Sequence, residues 1–283
     1  MEGNECYKFS TIREYIRRTG SSEVRVACDV GSNAGFVTRM IRDYFPTCEI
    51  FAFEPVEDCF RETVTRTAGD PAIHCFQLAV TSQHLFEDDL GRVPRAEVQP
   101  LRVFRGLPAG GPGWYGGSLI RPESFQDYHR DHYRVEDRPI QPITFDQMVE
   151  SALASTGANE IDLVKMDCEG SEIPALGCAA SETLQRCRFI VGEYHGIERF
   201  YQVMREKLFQ THFVSLIGDA HLGSFFAERK GEITSILNPD RDGMLVERPW
   251  LADQPIDWHV FREEYVLPNE RHFHALASAE VCI

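Results

Sequence analysis

The stretch 161-IDLVKMDCEGSEIPAL-176 opens as an apolar run and closes on Lys165, Asp167, Glu169 and Glu172, gathered around Gly170. A short run of this kind reads as a strand buried within a sheet. Strands have a period of two, so Lys165, Asp167 and Glu169 point to one side as long as the chain stays extended. In open α/β sheets, ligands bind outside the carboxyl ends of the strands, where the strand order reverses. Charges gathered at the end of a core strand are therefore expected at the mouth of a site.

The chain on either side has the rhythm such a sheet needs. Upstream, 24-VRVACDVG-31 reads as a buried strand ending at a glycine, and 35-GFVTRMIRDYF-45 as a helix stopped by Pro46. The run 49-EIFAFEP-55 reads as the second strand, 57-EDCFRETVTRTA-68 as the second helix and 72-AIHCFQLAV-80 as the third strand. Downstream, 172–180 reads as a short helix, 188-RFIVGEYH-195 as a strand and 197-IERFYQVMREKLFQ-210 as a helix. The alternating runs 212-HFVSLIG-218 and 222-LGSFFAERK-230 suggest an antiparallel hairpin. Near the start, 9-FSTIREYIRR-18 places Ile12, Tyr15 and Ile16 on one helical face, with Ser10 as the expected N-cap and Gly20 as the stop. Strands alternating with helices predict an α/β fold with a doubly wound, mostly parallel sheet, and a closing antiparallel hairpin fits the seven-stranded sheet of many methyltransferases. The expected organisation is a helical segment over 1–23, one domain over 24–237 and a tail over 238–283. Residues 81–135, rich in glycine and proline, interrupt the rhythm. They hold short strand candidates such as 97-EVQPLRVF-104, and they predict an inserted hairpin or ordered loop acting as a lid. From 138-RPIQPITFDQMVESAL-153 the chain leads into a helix.

Composition narrows the partners. The 283 residues carry a net charge of −15, which disfavours a phosphate backbone as partner. No apolar run is long enough to cross a membrane, and MEGNECYKFS does not have the pattern of a secretory signal. Nine cysteines without a CxxC pair read as free thiols in a reduced compartment, so a cytoplasmic protein is expected, without nucleic acid or membrane as partner.

The chemistry lies at the strand ends. In 28-CDVGSNAGF-36 the glycines permit a sharp strand-to-helix turn, and the spacing is not that of a nicotinamide dinucleotide site. A carboxylate at Asp29 would repel a pyrophosphate and suits a cationic amine, such as the amino group of S-adenosylmethionine. Glu54 closes the second strand, about 20 residues past the turn, where an acidic residue accepts hydrogen bonds from ribose hydroxyls. Glu193 and His195, spaced by two, end the strand expected next to 161–167. Other readings stand beside these. Lys165 with Glu193 could form a structural ion pair, and Glu172 reads as a first-turn helix residue favoured by the helix dipole.

Taken together, 29-DVGSNAGF-36, 51-FAFEP-55, 77-QLAV-80, 116-GGSL-119, 143-ITFDQMV-149, 162-DLVKMDCEGSE-172 and 190-IVGEYH-195 resemble the FkbM-type methyltransferases in order and spacing. The resemblance covers about 24–230. It implies a class I Rossmann-like methyltransferase fold, S-adenosylmethionine as cofactor, and methyl transfer to a hydroxyl, often of a sugar or secondary metabolite. By position it implies that Asp29, Gly31, Asn33 and Gly35 hold the methionine end of the cofactor and Glu54 the ribose. Ser32, Phe36, Pro55 and Ala79 join the cofactor contacts, and Ser118 closes the pocket from above. Asp167 and Glu169 line the transfer site, with Glu193 and His195 beyond them and Lys165 at its edge.

Methyl transfer from a sulfonium needs alignment above all, and a base near the acceptor hydroxyl adds roughly 10²–10⁴-fold. His195 is the first choice for that base because its ordinary pKa is near neutral, and Asp167 the second. Asp167, Glu193 and His195 also suit Mg²⁺ or Mn²⁺, and a divalent metal is an open but not favoured alternative. The reading is a small-molecule O-methyltransferase. Its rivals are a methyltransferase for a polysaccharide or protein, docking through 81–135 (Trp114, Tyr115, Phe125, Tyr128, Tyr133) and the tail, and a non-catalytic S-adenosylmethionine-binding module. The acceptor and the oligomeric state, a homodimer included, stay open.

Overall fold

A computed structural model describes residues 2–82, 100–106, 115–118, 133–218 and 222–230. The tail over 238–283 and the aromatic residues Trp114, Phe125 and Tyr128 lie outside the described residues.

Seven strands form the main sheet. In chain order they are β1 (Val26–Val30), β2 (Glu49–Phe53), β3 (Ile73–Phe76), β9 (Ile161–Met166), β10 (Cys187–His195), β11 (His212–Gly218) and β12 (Leu222–Arg229). Across the sheet the order is β11-β12-β10-β9-β1-β2-β3. All neighbours run parallel except β12, which is antiparallel to both β10 and β11. The expected closing hairpin is therefore present, with its second strand inserted beside β10. The chain runs outward from β1 to β3 and returns on the other side of β1 with β9. The reversal point is the junction of β1 and β9.

The central strands are buried along their whole length, as strands covered on both faces must be. Alternate residues enter different layers. Cys28, Val30, Val164, Met166 and Ile190 join the core on one side, while Ala27, Leu163, Phe189 and Val191 join the other. The second layer is completed by α1 (Glu2–Thr19) and α2 (Phe36–Tyr44), through Phe9, Ile12, Ile16 and Ile41. Helix α1 starts well before Ser10, so Ser10 is a buried interior residue and not an N-cap. The helix does end at Gly20, with φ 65°. Asp162 fixes the β1–β9 junction at its base by accepting the N–H groups of Arg25 (2.9 Å) and Val26 (3.1 Å).

Helix α3 (Glu57–Thr67) links β2 to β3. The run 72–80, expected as one strand, divides. After β3 the chain turns off at Gln77, and β4 (Ala79–Thr81) pairs in parallel with β8 (Pro142–Thr144), forming a separate two-stranded sheet. The physical reason is that the Ala79 N–H donates to Gln141 O, at 2.9 Å, instead of continuing along β2. Within the insertion, β5 (Pro100–Gly106), β6 (Tyr115–Ser118) and β7 (Tyr133–Pro139) form a three-stranded antiparallel sheet, in the order β6-β5-β7. This is more regular than the loop or single hairpin expected there.

The helix led into by 138–153 is α4 (Phe145–Thr156). Its start is set locally by a capping box: Gln147 N donates to Thr144 Oγ1, and Thr144 N donates to Gln147 Oε1. Helices α5 (Glu172–Cys178) and α6 (Ser181–Gln185) lead to β10. Helix α7 (Ile197–Val203) runs through a π-helical turn (Met204–Leu208) into α8 (Phe209–Thr211) before the closing hairpin.

Candidate active site

The glycine turn after β1 is built by close approach of backbones. Gly31, at φ 75°, donates its N–H to Phe53 O, and Ser32 N donates to the same carbonyl. A Cβ on Gly31 would lie 1.9 Å from the Asp167 carbonyl oxygen, so no other residue fits there. Asn33 takes a left-handed conformation, φ 49°, and Gly35, φ 80°, leads into α2. Thr63 Oγ1 and Arg66 Nε, both from α3, donate to the carbonyls of Asn33 and Ala34 and hold the turn from outside.

Beneath the turn lies a buried charge pair. Asp29 is completely buried and Lys165 is 1% exposed. The two are directly paired in the β1–β9 register, so their side chains share a face. Lys165 Nζ is 3.3 Å from Asp29 Oδ1 and donates to Gly31 O at 3.0 Å, while Thr38 Oγ1 donates to Asp29 Oδ2 at 2.6 Å. This corrects one expectation: Lys165 meets Asp29 and is sealed under the turn instead of standing along the crevice.

Glu54 ends β2 as expected and is 6% exposed. Its two oxygens accept from the backbone N–H groups of Asn33 (2.9 Å) and Val56 (2.8 Å). Burial pushes its carboxyl up to about 7, against the opposing pull of those two hydrogen bonds. Ser32 Oγ is buried in the turn and has no hydrogen-bond partner among the described residues. An acceptor-rich carboxylate beside an orphaned hydroxyl in a glycine turn fits a nucleoside bearing free ribose hydroxyls and a polar tail. Of the other expected contacts, Phe36 is 48% exposed at the start of α2, with the Arg66 guanidinium 3.5 Å over its ring. Pro55 is half-buried next to Glu54. Ala79 is buried in β4 against Val56, Cys59 and Ile140. Ser118 lies in β6 opposite Arg102, and its side chain is outside the described residues.

At the end of β9 the extended conformation stops at Met166. Glu169 (φ 53°) and Gly170 (φ 100°) then turn left-handed, so Lys165, Asp167 and Glu169 do not share one side as expected. The turn instead carries Asp167 and Glu169 toward the end of β10. Asp167, Glu193 and His195 each bring one donor atom within 4.8 Å of the others, an arrangement that could hold a divalent cation. His195 sits between two further carboxylates, with Nδ1 2.9 Å from Glu172 Oε1 and Nε2 3.3 Å from Glu169 Oε2. Burial would lower its pKa, but the hydrogen bonds to Glu169 and Glu172 and their charges raise it to about 11. With a carboxylate facing each ring nitrogen, the protonated imidazole is favoured. Held between Glu169 and Glu172, His195 is placed to donate, and Asp167, the second choice of base, lies in the same cluster.

Glu172 is the participant that sequence reasoning missed. The sequence reads it as a first-turn helix residue favoured by the dipole, and in the fold its side chain is completely buried and meets both strand ends. Its spacing from Glu169 and Gly170 was visible, but nothing in one sequence tells a buried first-turn glutamate from a solvated one.

The fold is a doubly wound sheet of the class I methyltransferase type, with a glycine turn, the Glu54 carboxylate and an acidic crevice meeting at its switch point. Residues 29–216 match the Methyltransferase FkbM domain, and the chain belongs to that family of methyltransferases. Similar solved structures include a putative rRNA-methylase from Clostridium thermocellum (9% identity, 80% of this chain and 97% of that chain, TM-score 0.42). Others are a putative RNA methyltransferase from Pyrococcus horikoshii (7% identity, 80% and 83%, TM-score 0.38) and a SAM-dependent methyltransferase from Aquifex aeolicus (9% identity, 77% and 89%, TM-score 0.34). Similarity at this level says nothing about the substrate of this chain. No curated protein matches it in sequence. Among the described residues, no helix is long and apolar enough to cross a membrane.

Proposed function

We propose that the protein is an S-adenosylmethionine-dependent O-methyltransferase acting on a hydroxyl of a small, uncharged molecule such as a sugar or secondary metabolite. The observation that carries this reading is the meeting of Asp167, Glu193 and His195 beside the glycine turn, where β1 and β9 reverse the strand order. The bound cofactor supplies an activated methyl group on a sulfonium. Glu54 would accept the ribose hydroxyls, while Ser32, Asn33 and the start of α2 would receive the methionine end. Asp29 acts at one remove, by holding Lys165 and through it the Gly31 carbonyl.

An alcohol is a poor nucleophile until its proton leaves. Asp167 would take that proton as the hydroxyl accepts the methyl group the bound cofactor would supply, leaving an ether, a neutral thioether and one proton on the carboxyl. His195, held between Glu169 and Glu172, would donate toward the acceptor oxygen and orient it. A mouth carrying Asp167, Glu169 and Glu193 repels phosphates and carboxylates, which favours a neutral acceptor.

The test is methyl transfer from radiolabelled S-adenosylmethionine to a panel of neutral monosaccharides and polyols, with sugar phosphates and RNA alongside. Label entering a neutral hydroxyl compound, lost in Asp167→Asn, supports the reading. Label entering only RNA or protein overturns it.

A further inference from the structure

We propose that Glu172 is a positioning residue for the transfer reaction: it locks His195 with Nδ1 turned inward and Nε2 turned to the crevice, and it clamps the 167–171 turn against the end of β10. The inference rests on the reading above, that this crevice is where methyl transfer occurs.

The two oxygens of Glu172 divide between the two strand ends. Oε1 accepts the His195 backbone N–H at 3.1 Å and its Nδ1 at 2.9 Å. Oε2 accepts the Gly170 N–H at 2.9 Å and faces the Cys168 thiol at 3.6 Å. One carboxylate therefore receives donors from the turn after β9 and from the last residue of β10. The turn it holds contains two left-handed residues in succession, Glu169 and Gly170, a conformation that needs support from outside.

The donors around it suit a carboxylate at this position. Four donors converge on it, and the group is fully buried, so each oxygen must be an acceptor. An amide of the same shape would turn an NH₂ group toward N–H donors on one side. A buried carboxylate on Nδ1 also decides which nitrogen faces the reaction. The two ring contacts, Nδ1 to the buried Glu172 and Nε2 to Glu169, hold the ring in this orientation. Glu169, with its side chain 38% exposed, is the outer partner of Nε2 and is the one an acceptor hydroxyl can displace. The inner partner stays.

Two measurements test this. The first, on wild type and Glu172→Gln, records the His195 ring by ¹⁵N–¹H NMR, together with hydrogen exchange of the Gly170 and His195 amides. Wild type should show a slowly exchanging Nδ1–H and protected amides, and Glu172→Gln should lose the Nδ1–H signal and the protection at both. The second is kinetic, using whichever neutral monosaccharide wild type methylates. Glu172→Gln should lose roughly 10²-fold in kcat with the affinity for S-adenosylmethionine kept, and adding it to His195→Gln should slow the enzyme no further. Additive losses, or an unchanged kcat, would overturn the assignment, as would a rapidly exchanging Nδ1–H in wild type, which needs no variant. A wild type that shows the locked ring but methylates no hydroxyl would leave the clamp in place and defeat the reading of the crevice instead.

Discussion

Asp29 and Lys165 form a buried ion pair at 3.3 Å that bridges the two central strands under the glycine turn. Desolvating two charges is expensive, and the pair is worth having only while both members are present. Asp29→Asn or Lys165→Met alone should each destabilise the protein by about 3–5 kcal/mol, because the remaining charge is left buried without its partner. The double substitution should recover part of that loss. Denaturant unfolding of the two single variants and the double variant measures it. A strictly additive double variant would mean that the two charges do not interact.

Glu54 ties cofactor affinity to pH. Its carboxyl, raised by burial to about 7, ionises only near neutrality. The folded pKa lies above the ordinary value, so ionising this group costs stability as pH rises from about 4.5 through 7. Ribose hydroxyls donate to the charged form, so binding should recover that cost and release a proton below pH 7. Affinity for S-adenosylmethionine should be about tenfold weaker at pH 6 than at pH 8, where the competent form is fully populated. Calorimetry in buffers of differing ionisation enthalpy checks both points, and Glu54→Gln should bind weakly with a flat pH profile.

The fit at Gly31 leaves no room for a side chain. Alanine there would place Cβ 1.9 Å from the Asp167 carbonyl at a left-handed φ of 75°. The left-handed strain alone costs about 1–2 kcal/mol, and relieving the clash must push β9 away from the turn. Gly31→Ala should lower the melting temperature and abolish cofactor binding together. A well-folded variant with wild-type affinity would show that the turn relaxes freely.

His212 gives a second dependence on pH, far from the crevice. It is completely buried between Thr211 Oγ1 (2.7 Å) and Cys187 O (2.9 Å), where it donates from Nε2 to the carbonyl. Burial lowers its pKa to about 4. A depressed folded pKa means stability that is present above about 6.5 and is lost as pH falls through 4. The shift is worth on the order of 3 kcal/mol. Unfolding measured at pH 7 and pH 4.5 should show this loss, and it should be smaller in His212→Gln.

The Asp167, Glu193 and His195 donors provide a direct check on metal dependence. Both ring nitrogens of His195 already face carboxylates, Glu169 and Glu172, and on that basis chelation with EDTA should leave methyl transfer unchanged. A loss of activity restored by added Mg²⁺ or Mn²⁺ would instead place a cation among these three residues.

Much of the fold was legible because its signals are local. The alternation of apolar runs gave the strands, and Thr144 with Gln147 carries the start of α4 within four residues. Asp29, Glu54 and Asp167 were placed at the ends of the right strands for the same reason. What escaped was set by contacts distant in sequence. The division of 72–80 depends on Gln141, the partner of Asp29 lies on β9, and the burial of Glu172 depends on His195. In each case the residue looks the same in the sequence whichever partner it finds.

The position of β1 at the centre of the sheet has a consequence for biogenesis. Gly31 and Lys165, which touch, are 134 residues apart in the chain. During synthesis β1 can pair with β2 at once, but its other edge has no partner until β9 leaves the ribosome, after the whole insertion has emerged. At roughly 5–20 residues per second that edge stays open for many seconds. A nascent chain halted within the insertion would carry a bare apolar strand edge, the form of half-made sheet that pairs with its neighbours and that chaperones recognise.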